Sequence, residues 1–306
     1  MSSKSRHRPL KERLLNDSDQ VRAQRIEKKT LFSACHMTAF FKQACIHFAQ
    51  TLKEPLNLVR ASRLGNPVSG DLEGHLINFL KGLRSPTELM DFGAPMIASA
   101  FLLDNYPPNM HTFASAEVFQ VLYQDVCSRV SRSGVLIHED SPSMILPTGF
   151  VRMIADQLEK LVDGFVQGLD VTSAAIHMDT IKRFRRDWAN VRSNLTCFVC
   201  ISRKPEYGLP CGHSVCENCV RVFGTNSEND PYIFELCRCF LCGLAAPNVV
   251  VKLKPPTAGV RVLSIDGGGV RGVVPLQSLQ LLQDRIGLPY PVQDNFDIAY
   301  GTSSGE

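Results

Sequence analysis

Little in this chain points to a strongly charged partner or to a bilayer. Its 306 residues carry a formal net charge of only +3, too small a surplus to argue for nucleic acid. No stretch of about 18 or more uninterrupted apolar residues occurs, so no membrane span is expected. The nearest, LFSACHMTAFFKQACIHFA, is broken by His36, Lys42 and His47. The first residues lack the apolar core of a secretory signal peptide. Tryptophan occurs once, at Trp188. These absences predict an intracellular, cytoplasmic protein with no nucleic-acid partner.

What is present is unevenly spread. The apolar share of 44% is ordinary for chains that build cores, and the length suggests about two domains. Residues 1–29 hold nine Lys or Arg against four Asp or Glu, so residues 1–30 read as a basic, partly disordered arm. Eight of the 11 cysteines lie between Cys197 and Cys242. Such crowding, without a signal peptide, predicts zinc in a reducing compartment and not disulfides.

Residues 31–194 read as a helical domain with a regulatory or interaction role. Ser85-Pro86-Thr87-Glu88 is a capping box with proline at the first helical position. Phe150, Ile154, Leu158, Leu161 and Phe165 recur at helical steps and predict one apolar face. Stretches 113–130 and 174–191 also predict helices. Cys35, His36, Cys45 and His47 match no common metal spacing and are expected on or near a buried face.

In residues 195–246 the pattern is Cys197-x2-Cys200, ten residues, Cys211-x-His213-x2-Cys216-x2-Cys219, nineteen residues, and Cys239-x2-Cys242. A C-x2-C loop lets two thiolates converge on one metal at about 2.3 Å, and four ligands complete a tetrahedron. Eight ligands therefore predict two zinc ions, which supply most of the folding energy of so small a module. Cys237 is an extra cysteine outside the pairs. The order and spacing resemble a RING finger. That resemblance implies an interleaved pairing: Cys197, Cys200, Cys216 and Cys219 on one ion, Cys211, His213, Cys239 and Cys242 on the other. It also implies a protein partner, a ubiquitin-conjugating enzyme gripped by an apolar residue between the first two cysteines, here Val199. Phe240 stands where that family usually has proline, and Gly243 where it often has a basic residue.

Residues 247–259, with Pro255-Pro256-Thr257-Ala258-Gly259, are expected to be a linker. Beyond it, residues 260–265 predict a strand buried on both faces, followed by Asp266-Gly267-Gly268-Gly269-Val270-Arg271-Gly272. A helix carrying Val274, Leu276, Leu279, Leu282 and Ile286 comes next, then a second strand over 296–300 and Gly301-x-Ser303-x-Gly305. Free amides of a glycine bend at a helix N-terminus suit an anion, either a pyrophosphate or the oxyanion of ester hydrolysis. Two parallel strands joined by a right-handed crossover put both C-terminal ends at one sheet edge. Only acyl transfer needs bend and serine together.

This strand-DGGGVRG-helix-strand-GTSSG segment resembles the opening of a patatin-like phospholipase domain, a family that hydrolyses lipid acyl esters with a serine–aspartate dyad. The resemblance implies Ser303 as nucleophile, an oxyanion loop of Gly267, Gly268, Gly269 and Gly272 held by Arg271, and a membrane or lipid ester as substrate. Glu306 stands where the family usually has another glycine. The family's aspartate lies in a later Asp-Gly-Gly or Asp-Gly-Ala; Asp294 and Asp297 precede the second strand and are expected at the wrong end. The expected fold is thus multidomain: an all-α N-terminal region, a two-zinc RING-like module and an incomplete α/β (β-α-β) unit over 260–306. The chain is expected to be a fragment without its catalytic base, inactive as it stands. The alternative reading is a zinc-dependent interaction module or ubiquitin ligase with a non-catalytic C-terminal remnant.

Overall fold

The computed structural model describes residues 12–13, 15–23, 34–50, 55–106, 112–136, 146–167, 171–247, 249–255, 258–265, 272–287 and 291–301. The chain divides into two compact units, Met1–Lys204 and Pro205–Glu306.

The first unit is helical. After an exposed helix over residues 15–23, α1 (Ala34–Gln50), α2 (Leu58–Ser62) and α3 (Leu72–Leu80) lead into α4 (Pro86–Glu88). Ser85 caps α4 by accepting the Glu88 amide at 3.1 Å. The return bond runs from the Arg84 amide to Glu88 at 2.6 Å, one residue earlier than a capping box has it. The helix then passes through a wide π turn, Leu89–Gly93, into α5 (Ala94–Asn105). Pro95 explains the wide turn: its ring would crowd the carbonyl four residues back in a regular helix. Helix α5 is buried almost all round and forms the centre of the unit.

A second helix with a π turn covers the 113–130 stretch, as Ser115–Val118 (α6), Phe119–Tyr123 and Gln124–Arg132 (α7). Helix α8 (Pro147–Gln167) buries Phe150, Ile154, Leu158 and Val162 against α5. The buried stripe therefore continues in steps of four, and Leu161 and Phe165 are half-buried at its margin. The 174–191 helix is shorter than expected. Helix α9 (Ser173–Arg183), capped by Thr172, ends at Phe184, and a 3-10 turn over Asp187–Asn190 buries Trp188. The rings of Phe79, Phe92, Trp188 and Phe198 pack around one another. A polar centre accompanies them: Asp104 receives Arg63 at 2.7 Å and the Tyr123 hydroxyl at 2.7 Å. In α1, His36 is buried, stacked on Phe40, but Cys45 is exposed, which corrects its expected place near a buried face.

In the second unit, β1 (Tyr207–Gly208) and β2 (Ser214–Val215) form a hairpin, and α10 (Glu217–Phe223) follows. Strands β3 (Thr225–Asn226), β4 (Ile233–Glu235) and β5 (Val250–Lys252) form an antiparallel sheet in that order. Strand β5 falls within the expected linker 247–259. Val251 pairs with Phe234, both buried, so part of that stretch is an integral edge of the sheet.

The last elements are β6 (Val262–Ile265), α11 (Val273–Ile286) and β7 (Ile298–Gly301), with β6 and β7 parallel. Strand β6 was expected to be buried on both faces, yet Val262 is 57% exposed. The reason is that α11 buries none of its residues. One strand–helix–strand unit does not cover its own sheet.

Candidate metal centre and C-terminal strand–helix–strand unit

Two ligand groups are assembled. The Sγ atoms of Cys197, Cys200, Cys216 and Cys219 lie within 4.8 Å of one another, and so do the donor atoms of Cys211, His213, Cys239 and Cys242. Each group could hold a metal ion. Cys237 is exposed and belongs to neither.

Local geometry explains how pairs separated by two residues converge. In the last pair the Gly243 amide donates to the Cys239 carbonyl at 3.0 Å, and Gly243 turns with φ +74°. In the first pair the Ile201 amide donates to the Cys197 carbonyl at 2.8 Å, with Ile201 at φ +52°. The two turns are the same device, a left-handed residue closing the loop behind the second thiol. At Ile201 a β-branched side chain occupies a conformation that suits glycine. The β1–β2 hairpin carries Cys211 and His213 at its bend, with Cys216 at the start of α10 and Cys219 one turn inside it. His213 Nδ1 lies 3.3 Å from Cys211 Sγ and 3.6 Å from Cys239 Sγ.

The donor set suits a thiophilic cation. Burial pushes the Cys239 thiol up to about 12, so a bare thiolate there is costly and a bound cation is what would hold it deprotonated.

The first pair is seated in the helical unit. Fully buried His177, on α9, donates Nε2–H to the Val199 carbonyl at 2.6 Å. Its Nδ1 is then the acceptor, facing the Ser99 hydroxyl at 2.7 Å. Burial pulls this imidazole down to about 4, so it is neutral near pH 7. Thr196 Oγ1 meets His75 Nδ1 at 2.9 Å and accepts from Asn78 at 3.2 Å, while Phe198 enters the aromatic cluster. Val199 itself is 0% exposed. Sequence reasoning missed His75 and His177; a lone histidine on a helical face carries no signal of its partner.

At the C-terminal unit the parallel register pairs Val262 with Ile298, Leu263 with Ala299, Ser264 with Tyr300 and Ile265 with Gly301. The C-terminal ends of β6 and β7, Ile265 and Gly301, therefore lie at one sheet edge. Gly267, Gly268, Gly269, Arg271 and Ser303 lie outside the described residues. Gly272 stands at the N-cap of α11. Asp297 is held at the other edge: it accepts the Arg261 amide at 2.6 Å and pairs with Lys254 and Arg261. The Lys254 ammonium, then the Arg261 amide, hold its carboxyl below the usual range.

No protein-family profile matches the chain, and no solved structure matches it. The chain is similar to "Patatin-like protein 2" of Arabidopsis thaliana, with 44% identity over 59 residues. That match takes in 17% of this chain and 14% of the plant protein, so the chain spans a small part of its relative's length.

Proposed function

We propose that residues 260–306 open a patatin-like lipid acyl hydrolase domain. The register that brings Ile265 and Gly301 to one edge carries the proposal. It sends the segment with Gly267, Gly268, Gly269 and Arg271 and the segment with Ser303 off from neighbouring positions. Backbone amides of the bend, beside the N-terminus of α11, would stabilise the oxyanion as the Ser303 hydroxyl adds to an ester carbonyl. The similarity to a patatin-like protein supports the same reading. Asp297 is tied to Lys254 and Arg261 at the far edge and does not serve as the base. An aspartate outside residues 1–306 would take the serine proton.

The test uses a longer protein in which an α/β segment carrying the aspartate is joined after residue 306. Turnover of a short-chain acyl ester is expected to fall at least about a thousandfold in Ser303→Ala. Undiminished turnover would remove Ser303 from the reaction.

For the metal centre the proposed reading is a RING-type module with two zinc ions, serving contact with a protein partner. The interleaving of the two ligand groups supports it. The surface such ligases use does not favour ligase activity, because Val199 is buried and its carbonyl is taken by His177. Conjugate formation with purified conjugating enzymes would restore the ligase alternative.

A further inference from the structure

The turn after α9 gathers charge of one sign. Residues 182–192, KRFRRDWANVR, hold five Lys or Arg against one Asp. The segment 81–84, at the end of α3, lies against this stretch. A Cβ built on Gly82 would stand 2.9 Å from Val191 Cγ1, and the Phe79 and Trp188 rings pack 5.7 Å apart. That segment adds Lys81 and Arg84, and all seven cations are exposed. The whole chain, by contrast, has a surplus of only +3.

Three of the cations have a local reason. Lys81, Lys182 and Arg183 stand at the C-terminal ends of α3 and α9, where positive charge offsets the negative pole of a helix. Arg84, Arg185, Arg186 and Arg192 lie past those ends. Arg84 directly precedes Ser85, the N-cap of α4, at a pole that disfavours a cation. Among the described residues no carboxylate pairs with Arg84, Arg185 or Arg186. Crowding like charges costs stability, and a polyanion held there would offset that cost.

Residue type and surroundings narrow the partner. All four are arginines, whose planar guanidinium grips phosphate oxygens in pairs. The aromatic side chains of the stretch are not free to stack on bases. Trp188 is 0% exposed, and Phe184 is half-buried with the Arg183 guanidinium 4.5 Å above its ring. Leu195, by contrast, is 62% exposed. Ser193 fixes the turn that presents it, accepting the Leu195 amide at 3.0 Å and the Thr196 amide at 3.1 Å. Three residues of chain keep it within about 11 Å of Arg192. A layer of phosphates over an apolar interior uses both features, whereas a duplex backbone uses only the arginines.

We propose that residues 184–195 and the neighbouring 81–84 segment form a docking surface for an anionic phospholipid bilayer. The arginines meet the headgroup phosphates and Leu195 inserts below them. The surface is independent of Ser303, so its success or failure leaves the acyl-transfer reading as it stands.

Flotation of the full chain with vesicles tests it. The chain is expected to float with phosphatidylcholine vesicles containing phosphatidic acid, weakly with phosphatidylcholine alone, and less as salt is raised. Arg185→Gln with Arg186→Gln is expected to lower partitioning about thirtyfold, and Leu195→Ser about fivefold. Arg152→Gln with Lys160→Gln removes the same charge from exposed positions on α8 and is expected to leave partitioning nearly unchanged. All these side chains are exposed, and circular dichroism checks that the helices persist. Three outcomes overturn the proposal: no flotation with the anionic vesicles, equal losses in the two double variants, or tighter retention by a DNA duplex that Leu195→Ser does not alter. The last would assign the arginines to nucleic acid.

Discussion

His177 and Val199 are joined by a buried 2.6 Å hydrogen bond from the imidazole Nε2 to the carbonyl that lies between Cys197 and Cys200. The bond makes a helix of the first unit part of the mount for a metal-ligand pair. His177→Ala would strand the Val199 carbonyl in the interior and leave the Ser99 hydroxyl with only the Met96 carbonyl, 3.3 Å away. The expected loss is about 2–4 kcal/mol of stability, with weaker retention of one metal ion. Thermal unfolding and metal content by mass spectrometry check this, and His177→Gln should recover part of the loss.

The same histidine sets a pH dependence. Its folded value of about 4 lies below the ordinary 6.5, so between these values the unfolded chain binds more protons. Stability is therefore full above about pH 6.5 and falls as pH drops toward 4, by on the order of 3 kcal/mol in total. Denaturant unfolding at several pH values measures the slope, and His177→Gln should flatten its imidazole share. An equal slope in the variant would assign it to protonation of the metal ligands.

Metal removal should be visible from the only tryptophan. Trp188 stacks on Phe198, ring centroids 6.0 Å apart, and Phe198 stands between Cys197 and Cys200 of the first candidate metal group. Chelation is expected to red-shift Trp188 emission and lower the melting temperature, with two ions released per chain. An unchanged spectrum after complete metal loss would show that the helical core stands without the knuckle.

The turn behind the last pair offers a local test. Gly243 sits at φ +74°, where a Cβ costs about 1–2 kcal/mol. Gly243→Ala should weaken metal retention in competition with a colorimetric chelator. Gly208→Ala, in open space at the β1–β2 hairpin, should not.

Much of this was legible in the amino-acid order. Pairs of cysteines separated by two residues point to groups that could hold metal ions, and the donor atoms do gather into two such groups. The Ser85 cap and the Phe150–Ile154–Leu158 stripe are equally local signals. What escaped depends on contacts distant in sequence. Strand β5 was read as linker because three residues, Val250–Lys252, acquire meaning only beside Ile233–Glu235. The partner of the Val199 carbonyl is a histidine 22 residues earlier. The exposure of β6 could not be foreseen, since its apolar residues read alike whether or not anything covers them.

The stretch after β5 carries a further consequence. Arg221, on the helix that bears Cys219, donates to the Lys254 carbonyl at 3.3 Å, and the Lys254 ammonium grips Asp297 at the foot of β7. Lys254 is thus a meeting point of two contacts, one to the helix that bears Cys219 and one to the foot of β7. High salt, which screens an ion pair as open to water as Lys254–Asp297, is therefore expected to loosen the second contact before the first.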